Sequence, residues 1–185
     1  MPDAAVAERL WTIDELEQLP EASSYELADG ILKERHVSFR SSRLNWVLDV
    51  VVGSHIRNND LGEGADSELG LQLWPDRPDN FRRADMSFFA KGRLPEALWD
   101  AGRVQIAPDL VIEVISNRDN AVDTNLKIAD YLQAGVRLIW VFYPLTREIA
   151  VFRRDGSTSM VRGDEPLDGE DILPGFSVRA SAIFA

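Results

Sequence analysis

The sequence contains no cysteine, and this absence excludes disulfide bonds, thiolate metal sites, iron–sulfur clusters and cysteine nucleophiles. Only two histidines are present, His36 and His55, so a zinc site built from several histidines is not expected. The sequence also lacks a glycine-rich phosphate loop, a G-x-S-x-G elbow and a His-rich motif. Any metal site would therefore rest on carboxylates, which suit magnesium, manganese or calcium.

Long apolar runs are missing as well. The longest, Leu138 to Tyr143, is far shorter than the ~20 residues that span a bilayer, so no membrane contact is expected. The N-terminal segment MPDAAVAERL carries two acids and no apolar core, and it is not expected to be a secretory signal. The 185 residues, 45% of them hydrophobic and 28% charged, predict a single globular domain over 1–185 in the cytoplasm.

Basic residues are outnumbered, since the net charge is −11, and this value alone speaks against a general nucleic-acid binder. The excess of acids lies at the two ends, however. Residues 1–30 hold eight acids and one base, and residues 164–171 hold five acids and no base. The body between them is neutral, with a basic stretch at 33–43. Of the 20 basic residues only three are lysines: Lys33, Lys91 and Lys127.

Periodicity along the chain predicts an α/β fold with a mixed sheet. Helices are predicted where a capping signal or helical apolar spacing appears, and strands where short apolar runs are bounded by Gly, Pro or Asp. The strand–helix–strand unit at 110–143 implies a locally parallel pair of strands. The predicted helices cover 13–19, 41–58, 95–101 and 122–134. The predicted strands cover a hairpin at 25–32, then 68–74, 84–90, 110–116, 138–143, a second hairpin at 149–162, and a short strand after Pro174-Gly175.

Two acids interrupt apolar strands. Glu113 lies within LVIEVI, and Asp85 enters the strand ADMSFF. An unpaired buried carboxylate is costly, so each must be paired, protonated or bound to a metal. The alternatives are a strand-end ion pair for Glu113 and a strand-start cap for Asp85. Because two such acids on neighbouring strands suit a hard divalent cation, we expect both carboxyls on adjacent strands and close enough to share one ion.

Lys127 and Glu26 are two further candidates. Lys127 shares one helix face with Asp123 and Tyr131, and we expect its ammonium to point into the same cleft, near Glu113. The alternative is a surface pair between Asp123 and Lys127, worth about 0.3–0.5 kcal/mol. Lysine offers a compact charge that arginine does not, which is notable in an arginine-rich chain. For Glu26, the alternative is an exposed hairpin residue.

Seven segments occur in order along the chain. They are Trp11-Thr12, YELADG at 25–30, RRADMSFF at 82–89, APDLVIEVIS at 107–116, D123-xxx-K127-xxx-Y131-xxx-G135-V136, LIWVFYP at 138–144 and LPGFSV at 173–178. Over about 165 residues, these segments make the chain similar to the bacterial putative restriction endonuclease family, within the PD-(D/E)XK nuclease superfamily. The resemblance implies a restriction-endonuclease-like core over about 62–185 and a helix–hairpin–helix cover over about 11–59.

The resemblance implies a magnesium site, with manganese as the alternative ion. Asp85 and Glu113 would be the two metal-binding acids, together with the backbone carbonyl of Val114. The superfamily's lysine two positions after the second acid is Ile115 here, so Lys127 would reach back from the following helix to orient or deprotonate water. Smaller departures are Ala84 and Asn117 in place of prolines, and the absence of a histidine from 39–43.

The predicted function is therefore metal-dependent hydrolysis of DNA, by an Mg²⁺-dependent endodeoxyribonuclease. Glu26 would act in the outer shell or hold a second ion, and phosphate contacts would come from Lys33, Arg35, Arg40 and Arg43. The alternative is a catalytically inactive nuclease-fold module for binding or assembly, which the acidic ends favour; RNA as substrate also stays open.

A homodimer is expected because cutting two strands needs two sites. Interfaces also favour aromatic residues, and five such residues cluster mid-chain: Trp74, Phe81, Phe88, Phe89 and Trp99.

Overall fold

A computed structural model describes residues 9–185. Residues 1–8 lie outside the described residues. They make up most of the N-terminal segment MPDAAVAERL, for which no secretory signal is expected. The helices are α1 (Ile13–Glu17), α2 (Phe39–Asn58), α3 (Ala121–Gln133) and α4 (Ala180–Ile183), with short 3₁₀ turns at Ala22–Ser24 and Glu96–Leu98. The strands are β1 (Tyr25–Ala28), β2 (Ile31–Glu34), β3 (Gly62–Asp66), β4 (Gly70–Leu71), β5 (Met86–Ala90), β6 (Arg103–Val104), β7 (Leu110–Val114), β8 (Leu138–Tyr143), β9 (Glu148–Arg153), β10 (Thr158–Arg162), β11 (Pro166–Asp168) and β12 (Ser177–Arg179).

A six-stranded mixed sheet forms the centre of the fold, in the order β10-β9-β8-β7-β5-β3. β7 and β8 are parallel and the other neighbouring pairs are antiparallel. The parallel pair is joined by α3, as the strand–helix–strand unit predicts. Every residue of β7 is buried, which is typical of a strand covered on both faces.

Local sequence signals explain where the helices begin and end. Thr12 and Glu15 form a capping box at α1, and Ser38 and Ser41 form a second one that starts α2 two residues before its predicted start. α3 ends at Gly135, whose φ of +94° is a left-handed conformation that glycine adopts without strain. None of the helices between residues 9 and 185 is long and apolar enough to cross a membrane.

Helices cover both faces of the sheet. One face packs against α2 and α4, through residues such as Leu48 and Ile183, and the other packs against α3 through Ile128 and Tyr131. A third, smaller cluster joins α1 to the β1–β2 hairpin. α2 therefore contributes to the main core.

The prediction of a strand at 68–74 is wrong in most of its length. Only Gly70–Leu71 is extended there, and the sheet edge is formed by β3, Gly62–Asp66. Leu71, Leu73 and Trp74 pack in the buried cluster beneath α3. Their apolar pattern therefore reflects this packing and does not indicate a long strand. β3 was missed because an edge strand with a solvated face needs few apolar residues.

The aromatic cluster does not form an exposed surface. Trp74, Phe81, Phe88 and Phe89 are at most 3% exposed, and only Trp99, at 60%, faces solvent. The argument for a homodimer from these side chains is therefore wrong, because four of the five fill the interior of the chain itself.

Candidate active site

Asp85 and Glu113 lie opposite each other, Asp85 immediately before β5 and Glu113 within β7. β5 and β7 pair antiparallel with Met86 opposite Ile112, so the next pair along the same register is Asp85 and Glu113. Directly opposite residues of an antiparallel pair point to the same face, here the face that α3 covers. The backbone N–H of Val114 donates a hydrogen bond to Asp85 Oδ2 at 2.7 Å. Glu113 thus lies on β7 as expected, whereas Asp85 lies immediately before the neighbouring strand β5.

Lys127 reaches this same face from α3. Its Nζ lies 2.9 Å from Glu113 Oε1 and 2.7 Å from Glu26 Oε1, and it donates to the carbonyl of Arg83 at 2.8 Å. The three protons of the ammonium group therefore have three acceptors. The alternative of a surface pair with Asp123 does not hold, because Asp123 pairs with Lys33 at 3.3 Å. The position two residues after Glu113, Ile115, packs in the apolar cluster under α3.

Glu26 is a buried member of the cluster, and not an exposed hairpin residue. It is 4% exposed, and it accepts hydrogen bonds from Lys127 Nζ and from the backbone N–H of Arg83 at 3.2 Å. Tyr131, one turn after Lys127 on α3, donates from its hydroxyl to Glu113 Oε1 at 2.9 Å. Lys127 and Tyr131, four residues apart on one face of α3, therefore both bind Glu113.

Burial shapes the protonation of this cluster. Burial raises the pKa of Glu113 to about 7. The positive charge of Lys127 lowers this pKa, and the negative charges of Asp85 and Glu26 raise it further. Burial also raises the pKa of Asp85. Burial alone would lower the pKa of Lys127, but Glu113, Glu26 and Asp85 outweigh it and raise that pKa. Lys127 is therefore an ammonium group at neutral pH, whereas the Glu113 carboxyl gains and loses its proton near neutral pH.

Without added metal, we expect stability to fall as the pH rises from about 4.5 to about 7, because of Glu113. Its pKa is 4.5 when unperturbed and about 7 in the folded chain, so in this window the folded state binds more protons than the unfolded state. The measurement is the melting temperature against pH for the wild type and Glu113→Gln. The variant removes this titration and should flatten the slope; identical slopes would contradict the assignment.

The predicted phosphate-contacting residues fall into two groups. Arg35 lies in the cluster, 3.6 Å from Asp85 Oδ1 and 3.7 Å from Glu26 Oε1, and it donates to the carbonyl of Ser23 at 3.0 Å. The others lie outside it. Lys33 pairs with Asp123, Arg43 donates to the carbonyl of Ala185, and Arg40 is exposed. Arg35 is thus held by protein groups, whereas Arg40 is accessible to a ligand.

A second buried ion cluster supports the first and was not predicted. Asp130 accepts from Arg82 Nη2 and from Arg77 Nη1, each at 2.6 Å. Arg77 also binds Asp29 in the turn of the β1–β2 hairpin at 2.6 Å, and Arg82 Nη1 lies 3.8 Å from Glu26. The cluster therefore ties α3 to the hairpin that carries Glu26. In the sequence, Asp130 is simply the acid before Tyr131, and no local pattern marks its arginine partners.

The acidic cluster opens into a cavity of about 400 Å³. Glu26, Asp85, Glu113 and Lys127 are among its less exposed lining residues. Its solvent-facing lining, the mouth, mixes basic, acidic and polar side chains, including Lys33, Arg118, Asp119, Asn120 and Asp123. Within residues 9–185, no three carboxylates or histidines are close enough to form a metal cage made only of protein. Mg²⁺ is commonly held by one or two carboxylates, with water and phosphate oxygens completing the shell, and the oxygen-only donors Asp85, Glu113 and the Val114 carbonyl fit that pattern.

Comparisons with known proteins bear on the whole chain. The profile of the Uma2 family, described as putative restriction endonuclease, matches residues 13–181. A crystal structure of a putative nuclease belonging to DUF820 from Anabaena variabilis ATCC 29413 is similar, with a TM-score of 0.81 and 21% sequence identity, over 94% of this chain and 97% of that chain. No curated protein gives a significant match. The structural likeness confirms the predicted fold class, a mixed sheet flanked by helices in a nuclease-like arrangement.

Proposed function

The chain belongs to the Uma2 family of putative restriction endonucleases, and on that premise we propose that it hydrolyses DNA phosphodiester bonds with a divalent metal ion, Mg²⁺ or Mn²⁺. The observation that carries the proposal is the convergence of Asp85, Glu113 and Lys127 at the end of one cavity. Two buried carboxylates that repel each other are costly even when each has hydrogen-bond partners, and a cation bound to both would offset that cost.

Each residue has a proposed role. Asp85, Glu113 and the Val114 carbonyl would hold the ion. When bound, a divalent cation polarises the phosphate and lowers the pKa of a bound water. Lys127 would act as an ammonium group that orients water and neutralises charge on the phosphate, because its raised pKa makes it a poor base. Glu26 would be a positioning residue in the outer shell, since its Oε1 already holds Lys127 at 2.7 Å.

Phosphate contacts would come from basic side chains at the cavity mouth and at the start of α2. Lys33 and Arg118 line the mouth, and Arg40 and Arg43 lie on the first turns of α2. Such contacts position a nucleic acid without reading its sequence. Arg35, between Asp85 and Glu26, would instead reach the scissile phosphate once the ion balances the two acids.

The test of the proposed function is the effect of Mg²⁺ on wild type and Asp85→Asn. A saturating ligand stabilises the folded state by about 2.7 kcal/mol at a hundredfold excess over its Kd. We expect Mg²⁺ to raise the melting temperature of the wild type and to leave that of Asp85→Asn unchanged, with DNA cleavage lost in the variant. In the absence of metal the variant should be at least as stable as wild type, because repulsion with Glu113 is relieved.

The matched control is Asp109→Asn. Asp109 also precedes a buried strand but binds Arg93 at 2.7 Å, outside the cavity, so its variant should keep the Mg²⁺ shift. A wild type that shows neither a metal-dependent shift nor cleavage would support the alternative of an inactive binding or assembly module. Parallel assays on DNA and RNA of the same sequence decide the substrate.

Three further expectations stay predictions: one domain over 1–185, a cytoplasmic location and a homodimer. The dimer now rests only on the argument that two strands need two sites. Light scattering that finds a strict monomer at micromolar concentration would remove it.

A further inference from the structure

A second depression adjoins the cavity on the other side of Asp85. It measures about 410 Å³, and Arg35, Val37, Asn45 and Asp85 line both spaces. A strand whose scissile phosphate lies at Asp85 would therefore have one neighbouring nucleotide over each space. Pockets that bind small ligands begin at roughly 300 Å³, so each space is within the size range of small-ligand sites.

The two spaces differ in charge. In the first, five cations nearly balance six acids, so a phosphate group meets little net repulsion there; the cations are Lys33, Arg35, Arg82, Arg118 and Lys127. The second is acidic, since its four acids outnumber the single cation Arg35, and it would repel a phosphate group; the acids are Asp49, Asp66, Glu68 and Asp85. Its natural occupant is a group that donates hydrogen bonds.

An exposed tryptophan stands in this second depression. Trp46, on α2, is 67% exposed and lines the space beside Asn45 and Asp49. The Asn45 Oδ1 atom is buried, and it has no hydrogen-bond partner within the part of the chain that the structure describes. An aromatic face beside unused acceptors is suited to a base, which stacks by its ring and donates from its amino group.

Resting on the proposed function, we propose that this depression is a base-binding pocket. It takes an unpaired, amino-bearing base next to the scissile phosphate, stacked on Trp46 and hydrogen-bonded to Asp49. Asn45 Oδ1 becomes a second acceptor when its amide rotates toward the depression. A base inside a duplex offers neither a free ring face nor a free Watson–Crick edge, so it enters only when it is unpaired or flipped out. The substrate is therefore single-stranded DNA, or DNA with unpaired nucleotides at the cut.

A second copy of the chain is a poorer occupant of the same surface. The cores of protein interfaces are depleted in charged residues, whereas four acids and one arginine line this depression.

Binding is measured by fluorescence anisotropy with a labelled single-stranded DNA oligonucleotide and with a blunt duplex of the same sequence. Excess chelator prevents cutting, so the result does not depend on catalysis. We expect wild type to prefer the single strand. Trp46→Ala should weaken single-strand binding by about 5- to 150-fold, the loss of one stacked base, and leave duplex binding unchanged. Trp46→Phe should retain most of the affinity, because a phenyl ring still stacks.

The matched control is Trp99→Ala, which removes another tryptophan, 60% exposed, that lies outside both spaces and should change neither affinity. No preference for the single strand, or an equal loss for both DNAs in Trp46→Ala, would overturn the proposal. So would a dimer that Trp46→Ala converts to a monomer in light scattering without loss of single-strand binding.

The failure of this inference and the failure of the proposed function are distinguishable. Cleavage of duplex DNA that is unaffected by Trp46→Ala would reject the pocket alone. Single-strand binding through Trp46 in a protein without cleavage would reject the nuclease proposal alone.

Discussion

Lys127→Ala is expected to lower the turnover of metal-dependent DNA cleavage by about 10²–10³-fold, the usual effect of removing one group that stabilises charge in the transition state. The physical reason is the position of the ammonium, 2.9 Å from Glu113 and 2.7 Å from Glu26, at the end of the cavity where the phosphate would lie. Because Lys127 is not a proposed metal ligand, binding of Mg²⁺, measured by calorimetry, should persist in the variant.

The same substitution should also lower stability. Glu26 and Glu113 are 4% and 8% exposed, and breaking a buried pair by removing one partner costs about 3–5 kcal/mol. Turnover is therefore compared at a temperature where circular dichroism shows the variant to be folded. The control is Lys91→Ala, since Lys91 pairs with Asp60 on the surface and exposed pairs contribute about 0–1 kcal/mol. Unchanged turnover, or loss of Mg²⁺ binding together with turnover, would contradict the assigned role.

Asp130→Ala is expected to destabilise the folded state by about 3–5 kcal/mol, because it leaves a buried guanidinium without its partner. Arg82, which binds Asp130 at 2.6 Å, is 5% exposed. The bridge from Asp130 through Arg77 to Asp29 would also be cut, which loosens the hairpin that carries Glu26. Urea unfolding monitored by tryptophan fluorescence measures the change.

Asp123→Ala provides the control on the same helix. Asp123 is exposed and pairs with Lys33 at 3.3 Å, so its removal should cost about 0–1 kcal/mol. A loss of stability in Asp130→Ala no greater than in Asp123→Ala would mean that the buried cluster contributes little and that Arg82 finds another partner.

Local pattern was sufficient for much of the fold. α2 and α3 follow from capping residues and apolar spacing within one segment, and β7 and β8 follow from short apolar runs. These signals depend on neighbours in the chain, which is why the sequence carries them. The resemblance to a nuclease family then placed Asp85 and Glu113 together, and the strand register agrees.

The tertiary structure alone decided which charges meet. Glu26 and Lys127 are 101 residues apart in sequence, and nothing local in the hairpin distinguishes a buried Glu26 from an exposed one. Arg35 was expected to contact phosphate, and packing placed it between two acids. Asp130 carries no local mark of its two arginine partners.

The same division holds for apolar residues and for the sheet edge. The sequence by itself determined that Trp74, Phe81, Phe88 and Phe89 are large and apolar, and the packing of α3 and the hairpin decided that they fill the core. β3 pairs with only one neighbour, so its GEGAD sequence needs no apolar pattern. Composition and periodicity determine the elements, because they act along the chain, whereas burial and ion pairing arise only when distant segments come into contact.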